Sequence, residues 1–556
     1  MAQTKGVSIS NTGMDMDALV KASVSTYQSK YDAAYKKETV AEWTKSAYAD
    51  LYTELAKFKS TASDYKLQSK TTAHTATSTD STVVTATANG DALNLTHDVT
   101  VGTMARNASL QSTTTITRAI TTDADGKDTS KSTKLSDIAG VTLTADNKES
   151  TAVAISFDVE DSATSTQKHT ISYTYKDLQT KTLTDLAADI KNLTTITGTA
   201  AQADQKTVST NIMATYDATN DTMNIYNKQA GDANIIQITA DNTNSTVNGF
   251  TTTLLKNLNL GTYDGTKLTA VDTTALSGTN IKGVSSSITV DGKTYTGTSN
   301  IITVAGVTYT ANKVSTGSTR VGIGTDVDTL VKSVQTFVDS YNTLLDKMTA
   351  QLHATKSSTY GALTSDQKSA MTADEITAWE TKAKTGLLRN DSILSQAVDD
   401  MRNSMTMPVN GVGVYKTAGS IGLSVGDWRT YGHITLDTDK LKTAIADDPA
   451  IVNEILAGDN KNTSTTDMGS QGVATRLSNL LTVDMKNFSD KAGTSASTSD
   501  TSTLGTQITD MNTNLTALLK ALQDKENFYY TKYNAMESAV GKLTSSLTSV
   551  TSYLGS

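Results

Sequence analysis

The last fifty residues limit what this chain can fold into more than any other stretch. From Thr506 to Leu554, apolar side chains stand at Ile508, Met511, Leu515, Leu518 and Leu522, then at Tyr529, Tyr533, Met536, Val540, Leu543, Leu547, Val550 and Leu554. Alternating steps of three and four place them on one seam of a helix. The phase slips between Lys525 and Tyr533, a four-residue stutter that unwinds a supercoil locally. No proline and one internal glycine (Gly541) fall within it, so a rod of roughly 70 Å follows at 1.5 Å per residue. A seam of that length at a chain terminus needs a partner. The best internal candidate is the N-terminus, where Val20, Val24, Tyr27, Tyr31 and Ala34 form one stripe and Tyr48, Leu51, Leu55, Phe58, Ala62 and Tyr65 another. The stripe changes phase near Glu38, so Asp17 to about Lys66 reads as two helical stretches.

Between these ends the period changes from 3.6 to 2. Val83–Ala88, His97–Val101 and the alternating Val153, Ile155, Phe157 and Val159 read as half-buried strands, the last answered by Ile171, Tyr173 and Tyr175. Leu183, Leu186, Ile190 and Leu193 mark a short helix. Met223 and Ile225 with Ile236 and Ile238 suggest a hairpin around Ala230-Gly231-Asp232. Asp291-Gly292 and Ala305-Gly306, each between alternating apolar residues, carry the two-residue hairpin signal. Helix returns at Asp326 with the stripe Leu330, Val334, Phe337, Tyr341, Leu344, Leu345 and Met348, followed by helices near Thr372–Thr385 and Ser392–Ser404. Gly411 to Leu436 reads as a hairpin, Asp437 as a helix cap, and Asp448-Pro449 as a cap with proline at the first helical position.

The expected fold is therefore α+β and multidomain. Both chain ends form helical coiled-coil or bundle domains, enclosing two mostly antiparallel β domains. The expected division is 1–42 with 504–556, 43–70 with 323–503, 71–115 with 271–322, and a β-rich 116–270. With 556 residues the chain is too long for one core.

Few chemistries survive inspection. Cysteine is absent, which removes disulfides, thiolate catalysis and Cys-based metal sites. A net charge of −9 without a basic block speaks against nucleic acid and anionic membranes, and no apolar run reaches the roughly 20 residues of a membrane span. Gly422-Leu423-Ser424-Val425-Gly426 matches the hydrolase nucleophile elbow, but that motif needs a strand-to-helix turn and the flanks here read as a hairpin. Gly322-Ile323-Gly324 is followed by Val327 where a dinucleotide fingerprint needs glycine. His74, His97, His169, His353 and His433 lie far apart, so neither a metal nor another cofactor is expected. The pairs Asp15/Asp17, Asp326/Asp328 and Asp437/Asp439 each precede a helical stripe, where carboxylates cap backbone N–H groups. Met1 to Asp17 lacks the charged and apolar regions of a secretory signal peptide, so the expectation is a cytoplasmic protein or export without a cleaved signal. Two prolines in the whole chain suit one that is threaded unfolded and must refold fast, and simple compositional drift accounts for them equally well.

Several ordered segments resemble the flagellar filament cap family, the hook-associated protein 2 or FliD proteins. The opening Gly13-Met14-Asp15-Met16-Asp17-Ala18-Leu19-Val20 is similar to that family's start, and Trp43, Tyr48, Leu51, Leu55 and Phe58 to its first long helix. Asp98-Val99-Thr100-Val101-Gly102-Thr103-Met104-Ala105 resembles one of its strands, and Gly292 through Asn300 and Gly306-Val307-Thr308-Tyr309 its double hairpin. Phe337-Val338-Asp339-Ser340-Tyr341-Asn342, Trp379 to Gly386 with Arg389-Asn390-Asp391, Gly432 to Leu441 with Asp448-Pro449, and Glu526 to Glu537 with Lys542-Leu543 and Tyr553-Leu554 continue the match in order. Residues about 110 to 270 resemble the family only loosely. Relatives often carry Glu-Arg and Pro in the first helix, where this chain reads Ser23-Val24-Ser25-Thr26-Tyr27.

The resemblance implies a non-enzymatic structural protein that leaves through the flagellar type III export apparatus with a cytoplasmic export chaperone. It implies a homo-oligomeric ring, usually a pentamer, at the distal filament tip, with flagellin and the hook-filament junction protein as partners. The helical ends would be legs in the filament, with the seams Val20, Val24, Tyr27, Tyr31, Leu515, Leu518, Leu522, Tyr529, Tyr533, Met536, Val540, Leu543, Leu547 and Leu554 as partner-binding residues. Two other readings stay open: another axial flagellar protein, either at the hook-filament junction or flagellin-like, and a surface adhesin acting through the Thr-rich β domains.

Overall fold

The computed structural model describes residues 15–164, 168–197, 206–241, 243–263, 268–269, 282–459, 461–494 and 500–554; the Gly13-Met14 start of the opening motif lies outside them. Two compact units result, one from Met1–Ala73 with Asp326–Ser556 and the other from His74–Thr325. Helical chain ends enclosing antiparallel sheets are the observed architecture.

The first unit is helical. Helix α1, Met16–Asp64, is one uninterrupted helix of 49 residues rather than two. No glycine or proline stands within it, so nothing breaks the hydrogen-bond ladder where the apolar stripe shifts. The shift records a change of neighbour. The later stripe, Tyr48 to Tyr65, belongs to the unit's main core, whereas Val20 and Val24 belong to a small separate one.

The main core is completed by α2 (Val327–His353), α3 (Ser392–Thr406) and α4 (Val473–Ala492). Aromatic rings lock α1 to them: Tyr48 meets Phe488 edge-on at 5.3 Å, Phe58 meets Tyr341 at 5.9 Å, and Tyr65 meets Phe337 at 5.1 Å. The Tyr48 hydroxyl donates to Asp391 Oδ2 at 2.5 Å, and Asp391 Oδ1 accepts from Leu394 N to cap α3. One carboxylate thus orients two helices. The final helix, α5, runs from Thr503 to Leu554, 52 residues without a break, straight through the stutter. Among the described residues no helix is long and apolar enough to cross a membrane.

The motif residues of this unit have local reasons. Asn342 on α2 exchanges two hydrogen bonds with the backbone of Ile434, 2.9 and 2.8 Å, fixing the hairpin Leu423–Val425/Ile434–Leu436 on the helix. Gly386 has φ +76, and a Cβ there would meet Lys356 N at 2.7 Å and Ala354 O at 2.8 Å, so only glycine fits. Asp15, Asp326 and Asp437 each accept a backbone N–H at a helix start, which accounts for the first member of every D-x-D pair. Pro449 does not open a helix: that helix starts at Ile451, and Asp448 Oδ1 accepts from Ala450 N in the turn before it. Ser424 lies on a hairpin strand, not at a strand-to-helix elbow.

The second unit has two cores. A five-stranded antiparallel sheet places His74–Ser78, Thr319–Thr325, Thr96–Thr103, Ser286–Val290 and Lys293–Gly297 in that spatial order. It shares a core with the three strands Ile301–Val304, Val307–Ala311 and Val84–Ala88. Both expected tight turns are present, with positive φ at Asp291 and Gly292 and at Ala305 and Gly306. The other core lies between the sheets Asn107–Gln111/Thr222–Ala230/Ile212–Asp217 and Asn234–Ala240/Val153–Ser162/His169–Thr174, with the helices Leu183–Lys191 and Ser245–Asn257 packed on it. Met223 and Ile236 therefore do not share a hairpin. The chain leaves one sheet at Ala230 and joins the other at Asn234, and the positive φ of Gly231 makes that corner rather than a ladder turn.

Candidate assembly surface on the terminal helices

The surface with a partner-binding pattern lies along α5. α1 packs against it antiparallel, for Asp17 meets Tyr530 while Lys45, further along α1, meets Asp500 just ahead of α5. Val20, Val24 and Leu522 are buried together, with Tyr27, Tyr529 and Tyr533 half-buried around them. Leu515 is buried as well, and Tyr31 and Leu518 are half-buried. Nine of the fourteen expected seam residues thus have cover within the chain.

The remaining five do not. Met536, Val540, Leu543, Leu547 and Leu554 are exposed, the last three by 73%, 65% and 81% of their surface. Their spacing is as regular as that of the buried part. The division falls where α1 begins, because antiparallel pairing brings Asp17, in the first turn of α1, level with Tyr530.

The stutter sits at this boundary and is filled by polar and aromatic contacts instead of aliphatic ones. The Tyr530 hydroxyl donates to Asp17 Oδ1 at 2.7 Å, and the Tyr533 hydroxyl and Ser23 Oγ share a hydrogen bond of 2.6 Å. The Asp17 bond and its charge push the Tyr530 hydroxyl up to about 12. Tyr529 stacks on Tyr533 at 5.8 Å, and the Lys525 ammonium stands 5.8 Å from the Tyr27 ring and 5.6 Å from Phe528. Periodicity missed Asp17, Ser23, Lys525 and Tyr530, since each lies off the seam. They matter because they take over where the seam loses phase.

The exposed end has a second property. Thr544, Ser545, Thr548, Ser549 and Thr551 each donate to the carbonyl four residues back. Their hydroxyls are satisfied inside the helix, so covering them costs less than burying free donors. Glu537 and Lys542 are the charged residues between Met536 and Leu554. The surface is apolar, lightly charged and narrow, fit for helix packing rather than chemistry. Among the described residues no group of three or more His, Asp or Glu is placed to hold a metal ion.

Comparison with known proteins points the same way. The chain is 29% identical over 245 residues to flagellar hook-associated protein 2 of Halalkalibacterium halodurans, covering 41% of this chain and 46% of that one. It is 25% identical over 231 residues to the protein of the same name in Thermotoga maritima, covering 40% and 33%. The chain thus spans less than half the length of these curated relatives. Among solved structures, the D1-D2-D3 domains of the flagellar cap protein FliD from Escherichia coli align at 18% identity and a TM-score of 0.48, covering 84% of this chain and 99% of that one. FliD (HAP2) from Pseudomonas aeruginosa PAO1 aligns at 15% identity and a TM-score of 0.28, covering 50% and 99%. The family model for the flagellar hook-associated protein 2 N-terminus matches residues 12–108, and that for its C-terminus matches 283–545. The unmatched span between them holds nearly all of the second β core. The two matches together cover more than half of the sequence, including all of α1 and α5 as far as Ser545, and the chain belongs to the flagellar hook-associated protein 2 (FliD) family.

Proposed function

We propose that this protein caps the distal tip of a bacterial flagellar filament, retaining exported flagellin there and promoting its folding and insertion. The observation that carries this reading is the half-covered seam of α5 in a chain of this family. A helix that is paired with its own chain as far as Tyr533 and bare from Met536 onward is built to be completed by other subunits. In the proposed assembly α1 and α5 are the leg, and the bare end reaches into the filament. Burying one leucine contributes roughly 1.5–3 kcal/mol. Five or six such contacts hold a leg yet can be exchanged one step at a time, because association offsets much of that gain.

The wider reading follows from the family. The protein would act as a homo-oligomeric ring, a pentamer in this proposal, with flagellin and the hook-filament junction protein as partners. It would reach the cell exterior through the type III export apparatus, with a cytoplasmic chaperone and without a cleaved signal peptide. No step requires catalysis or a cofactor. The division into a leg domain (1–42 with 504–556), a helical bundle, an inner β domain and an outer β domain (116–270) is part of the same proposal. Electron microscopy of a deletion strain tests it: filaments absent or short, with flagellin lost to the medium, is the expected result. Continued long filaments would remove the cap reading in favour of another axial role, and lost surface adhesion with normal filaments would favour the adhesin.

A further inference from the structure

Helix α4 carries two deeply buried ionisable side chains without a salt-bridge partner, and the fold treats them in opposite ways. Arg476 is fully buried, and its guanidinium donates to the carbonyl oxygens of Met468, Met407 and Pro408, the last two just past the end of α3. Those carbonyls lie at the negative end of a helix, so the cation is stabilised. Burial lowers its proton affinity only to about 10, and it stays charged.

Asp484, two turns further along α4, has no such provision. It is 2% exposed, its Oδ2 is buried without a hydrogen-bond partner, and it forms no ion pair among the described residues. The elements packed on α4 are α1, α3, α5 and the helix Ile451–Leu456. The α1 face marked by Tyr48 on Phe488 and Ser63 on Ser478 carries Tyr52 and Lys59, while Lys45 is spent on Asp500. α3 brings Asp400 and the ion pair Asp399–Arg402, Ile451–Leu456 brings Glu454, and the start of α5 brings Asp510. On α4 itself Lys486 pairs with Asp490. The charge that acts on Asp484 is that of Asp400, a like charge, whose Oδ1 accepts from Gln396 Nε2 at 2.9 Å. A carboxylate buried to this degree, with one oxygen orphaned and a like charge acting on it, cannot ionise without a large cost.

We propose that Asp484 is a proton-dependent latch in the packing of α4 on its neighbouring helices, closed while its carboxyl holds a proton and loosened when that proton leaves. Burial and the Asp400 charge push the Asp484 carboxyl up to about 7, and burial raises Asp400 as well. A carboxyl raised above its unfolded value binds its proton more tightly in the folded state. Its stabilisation is present in full below the ordinary carboxylate range and is lost as pH rises toward and through about 7. The sign is opposite to that of ion-paired carboxylates such as Asp500, held down at about 2 by Lys45. The helical unit is therefore tightest in mild acid and most easily unfolded above neutrality.

The protein carries its own reporter. Its three tryptophans, Trp43, Trp379 and Trp428, all belong to the helical unit, so their emission follows that unit's unfolding in the full-length chain. Urea titrations from about pH 5 to about pH 8.5 should show the folded-to-unfolded ratio of the wild type falling with rising pH, by up to about tenfold per unit for one proton. Asp484→Asn should remove that slope, and Asp400→Asn should move the fall to lower pH by deleting the like charge. Equal slopes in the wild type and Asp484→Asn would overturn the proposal. Should Asp484→Asn fail to fold, carboxyl NMR of the wild type labelled at aspartate decides. One aspartate titrating near neutrality supports the latch, and every aspartate ionised by about pH 5 rejects it.

Discussion

The two halves of α5 have the same apolar period and opposite fates. Leu515 and Leu522 are buried against the chain's own first helix, whereas Leu543, Leu547 and Leu554 lie open to solvent. A seam's periodicity thus specifies that a helix will be covered but not by what. The supply of partner decides, and here α1 supplies it only as far as Tyr533. The two halves also differ in what flanks them. Near the boundary there are tyrosines, Lys525 and Asp17, which fix one register. Beyond it there are serines and threonines bonded to their own helix, which fix none.

Removing the bare half is the strongest way to sharpen the contrast. Truncation after Asn534 should leave the main helical core folded, because its buried residues end at Leu504, and should keep the clasps at Tyr530 and Tyr533. The expected outcome is near-normal thermal unfolding of the secreted protein with loss of motility and of flagellin at the tip. Normal motility would mean that the end of α5 is not a leg. Next in size is a pair of single substitutions. Leu522→Ala, at a site 4% exposed, should destabilise the α1–α5 pairing by about 2–5 kcal/mol. Leu543→Ala, at 73% exposure, should change the isolated chain by no more than about 0.5 kcal/mol. Chemical denaturation followed by helix signal separates them, and equal losses would break the comparison. The clasps come third. Tyr533→Phe and Tyr530→Phe should each cost about 0.5–1.5 kcal/mol of local opening, seen as faster amide exchange in Met16–Tyr27 with α2 to α4 unaffected.

The smallest effect concerns the covered half's other end. Lys45 and Asp500 bridge α1 to the start of α5 at 2.5 Å, and the pair holds Asp500 at about 2. Because that value is depressed, the contribution is present above the ordinary carboxylate range and is lost as pH falls from about 4 to about 2. Asp500→Asn should cost less than about 1 kcal/mol at neutral pH for a partly exposed pair. It should cost nothing in strong acid, and urea midpoints at the two pH values give the comparison.

Much of the fold was legible because it rests on local periodicity and turn chemistry. Asp291-Gly292 and Ala305-Gly306 demanded positive φ and have it, and Asp326 and Asp437 were read as caps and are caps. Where the reading went astray, a long-range contact decided. The phase change near Glu38 looked like a break, but it marks the point where α1 leaves one neighbour for another. Met223 and Ile236 alternate like a hairpin, yet their strands pair with Asn107–Gln111 and Val153–Ser162, far off in sequence. Of the candidate surface, the seam was visible and its division was not, since the stopping point depends on the register that Asp17 and Ser23 set against two tyrosines. Asp484 gave no signal at all. A lone aspartate on a helix reads as solvated until the fold closes over it.

The central claim is that one helix is half internal strut and half open leg, and hydrogen–deuterium exchange along α5 tests it directly. In the isolated protein, amides from Leu504 to Tyr533 should be protected and those from Met536 to Leu554 should exchange fast, despite the unbroken helix and shared period. On addition of flagellar filament ends, protection should spread to Leu554 without loss in the first half. Uniform protection before filaments are added, or an end that stays unprotected on them, would contradict the account.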